Sequence, residues 1–329
     1  MADCSVHTIS LLEQNDIWRQ LHASAQNASV FTSDAWLRTL AAHFHRDPTA
    51  VVLLRGDTPV AGIPLLLRRR GMLHAAPPHP VTLYSGILTD TDTRLWQESL
   101  PMLLRAVERR CHFVSLSITP TEEVQAAFRA RPWLMHTRQN RCLSLHSEDE
   151  LWNGYSQSLR RKIRRASESD LRVDPDPSPQ TLAECYGESY HRHGILPPIP
   201  VNDMQRWLAD LNREGIVQMY AAKRSDGRCV ATRALLRDGD TLYDWLAGSN
   251  PPLAPAGSHW LLHILLTRAI AAGHTRFDFM GANTPGVSDF KRAFGGTTQQ
   301  YLDMEWYRPS ILKHINRLRA RLRQRRRGL

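Results

Sequence analysis

The sequence predicts an α/β protein, in the mixed α+β sense, made from one structural unit used twice. Three observations predict it. The chain has 329 residues, which suits two medium domains better than a single large one. Short apolar runs bounded by Gly-Asp and Asp-Gly turn signals are followed by longer helical patterns. The order of these elements in the second half repeats the order in the first.

The elements read as follows. Residues 216–223 form one apolar run, Asp226-Gly227 is a hairpin turn, and residues 229–236 are the next strand. Asp238-Gly239-Asp240 is a second turn, before a third strand over residues 241–247. Residues 258–272 fit a helix, with Leu261, Leu262, Leu265, Leu266, Ala269 and Ile270 on one broad face and Gly273 at its end. Residues 276–280 are a short strand.

The first half has strands over residues 50–55 and 60–69 around Gly56-Asp57, a helix over 95–109 and a strand over 113–118. Local letters agree as well. "VAGIPLL" from Val60 lies over "VATRALL" from Val230, and "RAV" at Arg105 over "RAI" at Arg268. Each unit is therefore expected to be a mixed sheet with helices on its faces, which buries the apolar sides of both element types. Between the copies, Ser147 and Glu150 fit a capping box. The helix it starts places Leu151, Trp152, Tyr155, Leu159 and Ile163 on one stripe. The expected domains are residues 1–145 and 146–308.

Charge is uneven. The chain has 42 Lys+Arg against 32 Asp+Glu, a net +10, and residues 308–329 hold nine Lys/Arg and no acid. A second basic run is Arg160, Arg161, Lys162, Arg164 and Arg165, on the C-terminal turns of the helix after Ser147, where the helix dipole favours cations. Such patches attract phosphate, whether of nucleic acid, anionic lipid or a phosphorylated ligand.

Five scattered cysteines without C-x-x-C exclude a disulfide framework and a zinc ribbon, and suit a reducing compartment. Neither a signal peptide nor a bilayer-spanning segment is expected, which points to the cytoplasm. There is no P-loop, G-x-G-x-x-G, H-E-x-x-H or G-x-S-x-G. His259 and His263, like His191 and His193, lack an acid at metal-ligand spacing, so no metal is expected.

The segment 277–305, "FDFMGANTPGVSDFKRAFGGTTQQYLDME", carries the most information. It resembles the C-terminal signature of the Fem family of aminoacyl-tRNA-dependent transferases, in which "YDF-x-G" is followed by "FK-x-x-F-G" and a last strand. "LRRKIRRASESDLRV" from Leu159 is similar to the family's basic helix, and "YHRHGI" from Tyr190 to an Arg-containing segment of its second domain. "LYSGILTD" from Leu83 is loosely like a Gly-containing strand of its first domain. The resemblance implies two tandem GCN5-related acetyltransferase (GNAT-like) domains. It implies an aminoacyltransferase that carries an amino acid from a tRNA ester to an amine of a peptide, a cell-wall precursor or a small natural product.

By the same resemblance Lys291 would contact the tRNA acceptor end and stabilise charge, and the basic run at 160–165 would bind tRNA. Asp278 is a candidate base. Tyr84, Tyr190, Arg192 and Tyr243 are candidate substrate contacts, Arg192 by a bidentate fork. Phe290 and Phe294 read as core anchors. The terminal segment 309–329 reads as a helix with Ile311, Ile315, Leu318 and Leu322 on one stripe. The resemblance implies that this helix returns to the first domain, with its Arg face left for tRNA or peripheral contact with an anionic membrane.

The donor distinguishes two readings. A GNAT enzyme cradles pyrophosphate on backbone N–H groups of a Gly-rich loop before the helix that follows the meander. Here that place is "NPPLAPAGSHW" from Asn250, with one Gly and three Pro, and in the first half "TDTDTRLW" from Thr89, with none. This favours aminoacyl-tRNA as co-substrate, with no bound cofactor. The alternative is an acyl-CoA-dependent N-acyltransferase of the GNAT superfamily.

Overall fold

The computed structural model describes residues 4–89, 93–119, 121–282 and 285–308, with Lys313 and Arg317. The expected terminal helix over 309–329, and its docking on the first domain, lie outside the described residues. In chain order the elements begin with β1 (Cys4–Ser10), α1 (Asn15–Ser24), α2 (Asp34–Phe44), β2 (Asp47–Arg55), β3 (Thr58–Arg70), β4 (Leu73–Ala76) and β5 (Leu88–Thr89). There follow α3 (Thr93–Arg110), β6 (Phe113–Ile118), α4 (Glu122–Arg129) and β7 (Leu134–Ser144). Next come α5 (Glu148–Gly154), α6 (Gln157–Ser167), β8 (Arg172–Asp174), α7 (Pro179–His191) and α8 (Val201–Arg213). The chain continues through β9 (Val217–Lys223), β10 (Cys229–Asp238), β11 (Thr241–Ser249), α9 (Gly257–Ala271) and β12 (Arg276–Gly281). The last described elements are α10 (Pro285–Ala293) and β13 (Thr297–Tyr307).

The chain divides into two compact units, Met1–Thr137 with the segment from Tyr301, and Arg138–Gln300. The division falls inside β7 rather than between residues 145 and 146. The reason is pairing: Cys142, Leu143 and Ser144 of β7 pair antiparallel with β12 of the second unit. In the same way Leu302–Tyr307 of β13 pair antiparallel with β6 of the first unit. Leu302, Met304 and Trp306 accordingly join Val51, Leu103, Val114 and Phe128 in the first unit's core.

The two units share one strand order. The first sheet runs β1-β2-β3-β4-β6-β13 and the second β8-β9-β10-β11-β12-β7. Each contains a single parallel pair among its described strands, β4 with β6 and β11 with β12. The "VAGIPLL" and "VATRALL" letters occupy the corresponding strands β3 and β10. Arg105 and Arg268 sit in the corresponding helices α3 and α9. The duplication read from the letters is present in the fold.

The copies differ at the third strand. In the second unit β11 pairs with β10 over its whole length, from Thr241 to Ser249. In the first unit that strand is broken into β4 and β5 by residues 77–87, which contain Pro77, Pro78 and Pro80. A proline cannot donate to the ladder. Of "LYSGILTD" only Leu88 and Thr89 are strand; Leu83–Ile87 are loop. This loop lines, with Phe31, Pro64 and Ser115, a cavity of about 40 Å³, little more than one water.

The helix expected after Ser147 is two helices. Ser147 accepts from Glu150 N and caps α5; Ser156 accepts from Leu159 N and caps α6. The break at Tyr155 and Ser156 keeps the expected stripe buried: Leu151, Tyr155, Leu159 and Ile163 all join the second unit's core.

Candidate active site

The second unit opens where its parallel strands part. β11 and β12 pair at Thr241–Arg276, Leu242–Phe277 and Tyr243–Asp278, and no further. Two irregularities sit at this level. The register of β10 on β11 shifts between Ala234 and Leu235, which leaves Trp245 as an extra residue. The register of β12 on β7 shifts between Asp278 and Gly281, and Met280 there has φ 61°. A side chain in the left-handed region costs roughly 1–2 kcal/mol, so other contacts must hold it. Asp278 does so: its carboxylate accepts from Met280 N at 2.6 Å and from Asn140 Nδ2 at 3.1 Å.

Lys291 fills the parting. Its Nζ donates to Phe279 O at 2.5 Å and Gly281 O at 2.6 Å, taking the place of a strand partner beyond Asp278. It lies on helix α10, not on an exposed loop, and is only 9% exposed. Burial lowers its pKa; Asp244 opposes that, Arg233 adds to it and Asp278 opposes it. An ammonium has three N–H bonds, and two are committed here. The third has no acceptor among the described residues. The two glycines that follow are required by the turn. Gly295 and Gly296 have φ of 84° and 74°, and a Cβ would lie 2.6 Å from Gly154 O and 2.3 Å from Cys142 O.

Beneath Lys291 is a buried ion pair that the sequence pattern does not announce. Arg233 of β10 meets Asp244 of β11 through Nη1 at 2.6 and 2.5 Å, and its Nη2 donates to Ser258 Oγ of α9 at 3.2 Å. The guanidinium stacks over Phe290 of α10, 5.2 Å from the ring centre. One side chain therefore ties four elements around the parting. The available signal was a charged residue inside the apolar run "VATRALL". Phe294 is fully buried and Phe290 packs beside it, so both are core anchors as expected.

The basic run lies next to the first turn of α9. Helix α6 packs on α9, and Lys162 is close enough to His259 to depress its pKa. The five cations divide. Arg160 approaches the carbonyls of Trp152 and Asn153, and Arg164 stacks on the Trp152 ring at 5.5 Å. Arg161, Lys162 and Arg165 are exposed and have no ion pair among the described residues.

His259 itself is packed on Phe290 and Phe294, and burial, then Lys162 and Arg233, bring its pKa down to about 4. A histidine with a depressed folded pKa stays neutral while the unfolded chain protonates, so its contribution is lost as pH falls from about 6.5 toward 4. Asp278, whose pKa burial raises, works in the opposite direction. The comparison with His259→Asn separates them. Between pH 7 and pH 5 the parent should lose about 1 kcal/mol more than the variant, after allowance for solvent screening. Urea unfolding at the two pH values measures this, and equal losses would show that His259 titrates alike in the folded and the unfolded chain.

The other expected contacts are dispersed. Tyr84 belongs to the first unit, edge-on to Phe31 and Tyr301 at 5.7 Å each. Tyr190 packs on Tyr186 in α7. Arg192 donates to Ser249 O at 2.6 Å and Ser249 Oγ at 3.3 Å, closing off the end of β11. Tyr243 is partly buried beside Asp278, and burial raises its pKa. Asp278 is 2% exposed, and its carboxylate accepts from Met280 N and Asn140 Nδ2. Among the described residues no cluster of His, Cys, Asp and Glu could hold a metal, and no helix is long and apolar enough to cross a membrane.

Residues 154–292, most of the second unit, match the family model of the acetyltransferase (GNAT) domain. No curated protein sequence is significantly similar to this chain. Among solved structures, FemX is 13% identical with a TM-score of 0.67, covering 90% of this chain and 96% of its own. The C-terminal domain assigned to a lysylphosphatidylglycerol synthetase of Agrobacterium fabrum is 11% identical with a TM-score of 0.54, covering 88% and 92%. A tandem GNAT protein from the clavulanic acid biosynthesis pathway is 9% identical with a TM-score of 0.54, covering 93% and 99%. The chain thus has a Fem-like fold of two tandem GNAT units, the second of which carries the match to the GNAT domain model.

Proposed function

We propose that this tandem-GNAT chain is an aminoacyltransferase that moves an amino acid from the ester of an aminoacyl-tRNA to an amine, forming an amide. The observation that carries the reading is the joint placement of Lys291 and a cationic surface. The parting of β11 from β12 holds a buried ammonium with one N–H to spare. The exposed cations of α6 flank the start of the adjacent helix α9. The approach to α9 contains Pro251, Pro252 and Pro255, which lack the N–H groups that a pyrophosphate cradle uses. Side-chain cations suit a polynucleotide instead.

In this reading the neutral amine of the acceptor attacks the ester carbonyl. A C–N bond forms, negative charge develops on the carbonyl oxygen, and the C–O bond to the terminal ribose breaks. The amine's proton leaves with the ribose oxygen, so the products are an amide and a free tRNA hydroxyl. Lys291 stabilises the developing charge in a site of low polarity, where such a donor counts for more than in water. The Arg233–Asp244 pair fixes the walls that hold Lys291. One structure similar in fold is assigned to a lysylphosphatidylglycerol synthetase, a name that describes an aminoacylated product, and this supports aminoacyl transfer. The segment from residue 309 carries eight further Lys/Arg for the same phosphate-bearing donor or for an anionic membrane surface.

The test is transfer of a labelled amino acid from charged tRNA to a panel of amines, with acetyl-CoA as the competing donor. Label in amide linkage only with charged tRNA supports the reading; transfer only from acetyl-CoA replaces it with the acyl-CoA alternative. A second measurement addresses the surface. Replacing Arg161 and Lys162 with Gln should flatten the dependence of log affinity for tRNA on log salt by about 0.7–0.9 for each phosphate no longer neutralised. An unaltered slope would return both side chains to a solvated helix face.

A further inference from the structure

The second unit has another cavity, at the opposite end of β11 and α9 from Lys291. It encloses about 310 Å³, close to ten water volumes and within the range of small-molecule sites. It lies between the start of β11 and the last turns of α9, beside the Gly239 hairpin and Gly273. Its floor is apolar, made by Leu235, Leu242, Leu265 and Ala269. Its rim is cationic and polar: Arg237 on β10, Arg268 on α9, and His274, Tyr220 and Gln218. Arg237 follows Arg233 by four residues on the same strand, about 13 Å along it, so this is a separate chamber.

The lining contains no Asp or Glu. Arg237 and Arg268 have no ion pair among the described residues, whereas Arg206, Arg213, Arg224, Arg228 and Arg233 of the same unit do. The acids nearest in the chain are engaged elsewhere. Asp238 acts on Tyr243, on the other side of its strand. Asp240 accepts from the hydroxyls of Thr275 and Thr241, which, with His274 nearby, lower its pKa. Tyr220 lies near Arg268, and its hydroxyl donates to Gln218 Oε1 at 3.3 Å. Two unneutralised guanidiniums over an apolar floor complement an anion with an apolar body, because charge and body are satisfied together.

We propose that this cavity binds a small organic anion, a carboxylate or a phosphate monoester, with its charge on Arg237 and Arg268 and its apolar body on Leu235, Leu242 and Leu265. The experiment is calorimetric titration of the full chain with benzoate, phenyl phosphate, inorganic phosphate and phenol. Benzoate or phenyl phosphate should bind at least tenfold more tightly than inorganic phosphate or phenol, and which of the two is tighter identifies the head group. Arg237→Gln with Arg268→Gln should weaken that binding at least tenfold, with an unchanged melting temperature because both side chains are exposed. Lys162→Gln, at the other end of α9, should leave it unchanged. Equal binding of inorganic phosphate would reduce the site to a cluster of surface cations. Failure of all four probes, or binding indifferent to the Arg replacements, would overturn the proposal.

Discussion

Lys291→Ala is expected to lose both activity and stability. The loss of activity follows from the one N–H that Lys291 has left for the reacting ester. Removing a preorganised donor to a developing oxyanion typically costs about 100- to 1,000-fold in rate. The loss of stability follows from the other two. The carbonyls of Phe279 and Gly281 accept from Nζ inside the parting, and without it they lose that donor. An unsatisfied buried carbonyl costs roughly 1–3 kcal/mol. The recovered desolvation of an ammonium offsets part of that, so about 2–4 kcal/mol is expected. On an exposed loop the same substitution would spare stability; on α10, with Nζ turned onto two carbonyls, it does not. Lys291→Met keeps the stem but not the donors and should behave the same way. The parent's rate should also fall at alkaline pH, below the ordinary lysine range, because burial lowers the Lys291 pKa. Denaturant unfolding and single-turnover transfer read the two effects separately. Full turnover in the alanine variant would remove Lys291 from the chemistry, and an unchanged unfolding midpoint would show that water replaces it at the carbonyls.

What the sequence made legible was periodic or local. The meander strands, α9 with Gly273 at its end, and the Ser147 cap all depend on neighbours in the chain, and they stand where the pattern places them. The duplication was legible because the copies keep both element order and letters. Pairing between distant segments was not. No local pattern shows that β7 joins the second sheet, which moves the division to residues 137/138. The break between α5 and α6 was missed because the apolar stripe continues across it, although Gly154 and Ser156 mark a stop and a cap. At the candidate site, the "FKRAFGG" letters single out Lys291. They did not show that Lys291 is turned inward onto two carbonyls, since that depends on where β12 leaves β11. Asp278 was legible as unusual, an acid between Phe277 and Phe279, but its work of holding Met280 is tertiary. Arg233 and Asp244 each stood inside an apolar strand, and together those two letters were the strongest unread signal of a buried pair.

That pair supports the second large effect. Asp244→Ala should destabilise the second unit by about 3–5 kcal/mol, because it strands a guanidinium that is 2% exposed. The cost is that of an unpaired buried charge, not the net worth of the pair. Replacing both partners, Arg233→Met with Asp244→Leu, should therefore recover most of the stability, since two buried charges and their desolvation disappear together. Activity should not recover with it. Arg233 also holds Ser258 at the first turn of α9 and stacks on Phe290, one residue before Lys291. Without Asp244, Lys291 also loses the largest of the influences that oppose the lowering of its pKa by burial. The alkaline limb of the pH–rate profile should then move to lower pH in Asp244→Ala, as the ammonium form is lost earlier; in the double variant the removal of Arg233, which lowers the same pKa, offsets part of that displacement. A double-mutant cycle on stability, read beside the pH–rate profile, separates packing from charge. If the double variant transfers amino acid at the parent's rate with the parent's alkaline limb, the pair serves only the fold. If it is stable but slow, with the limb displaced, the pair sets the protonation and the position of Lys291.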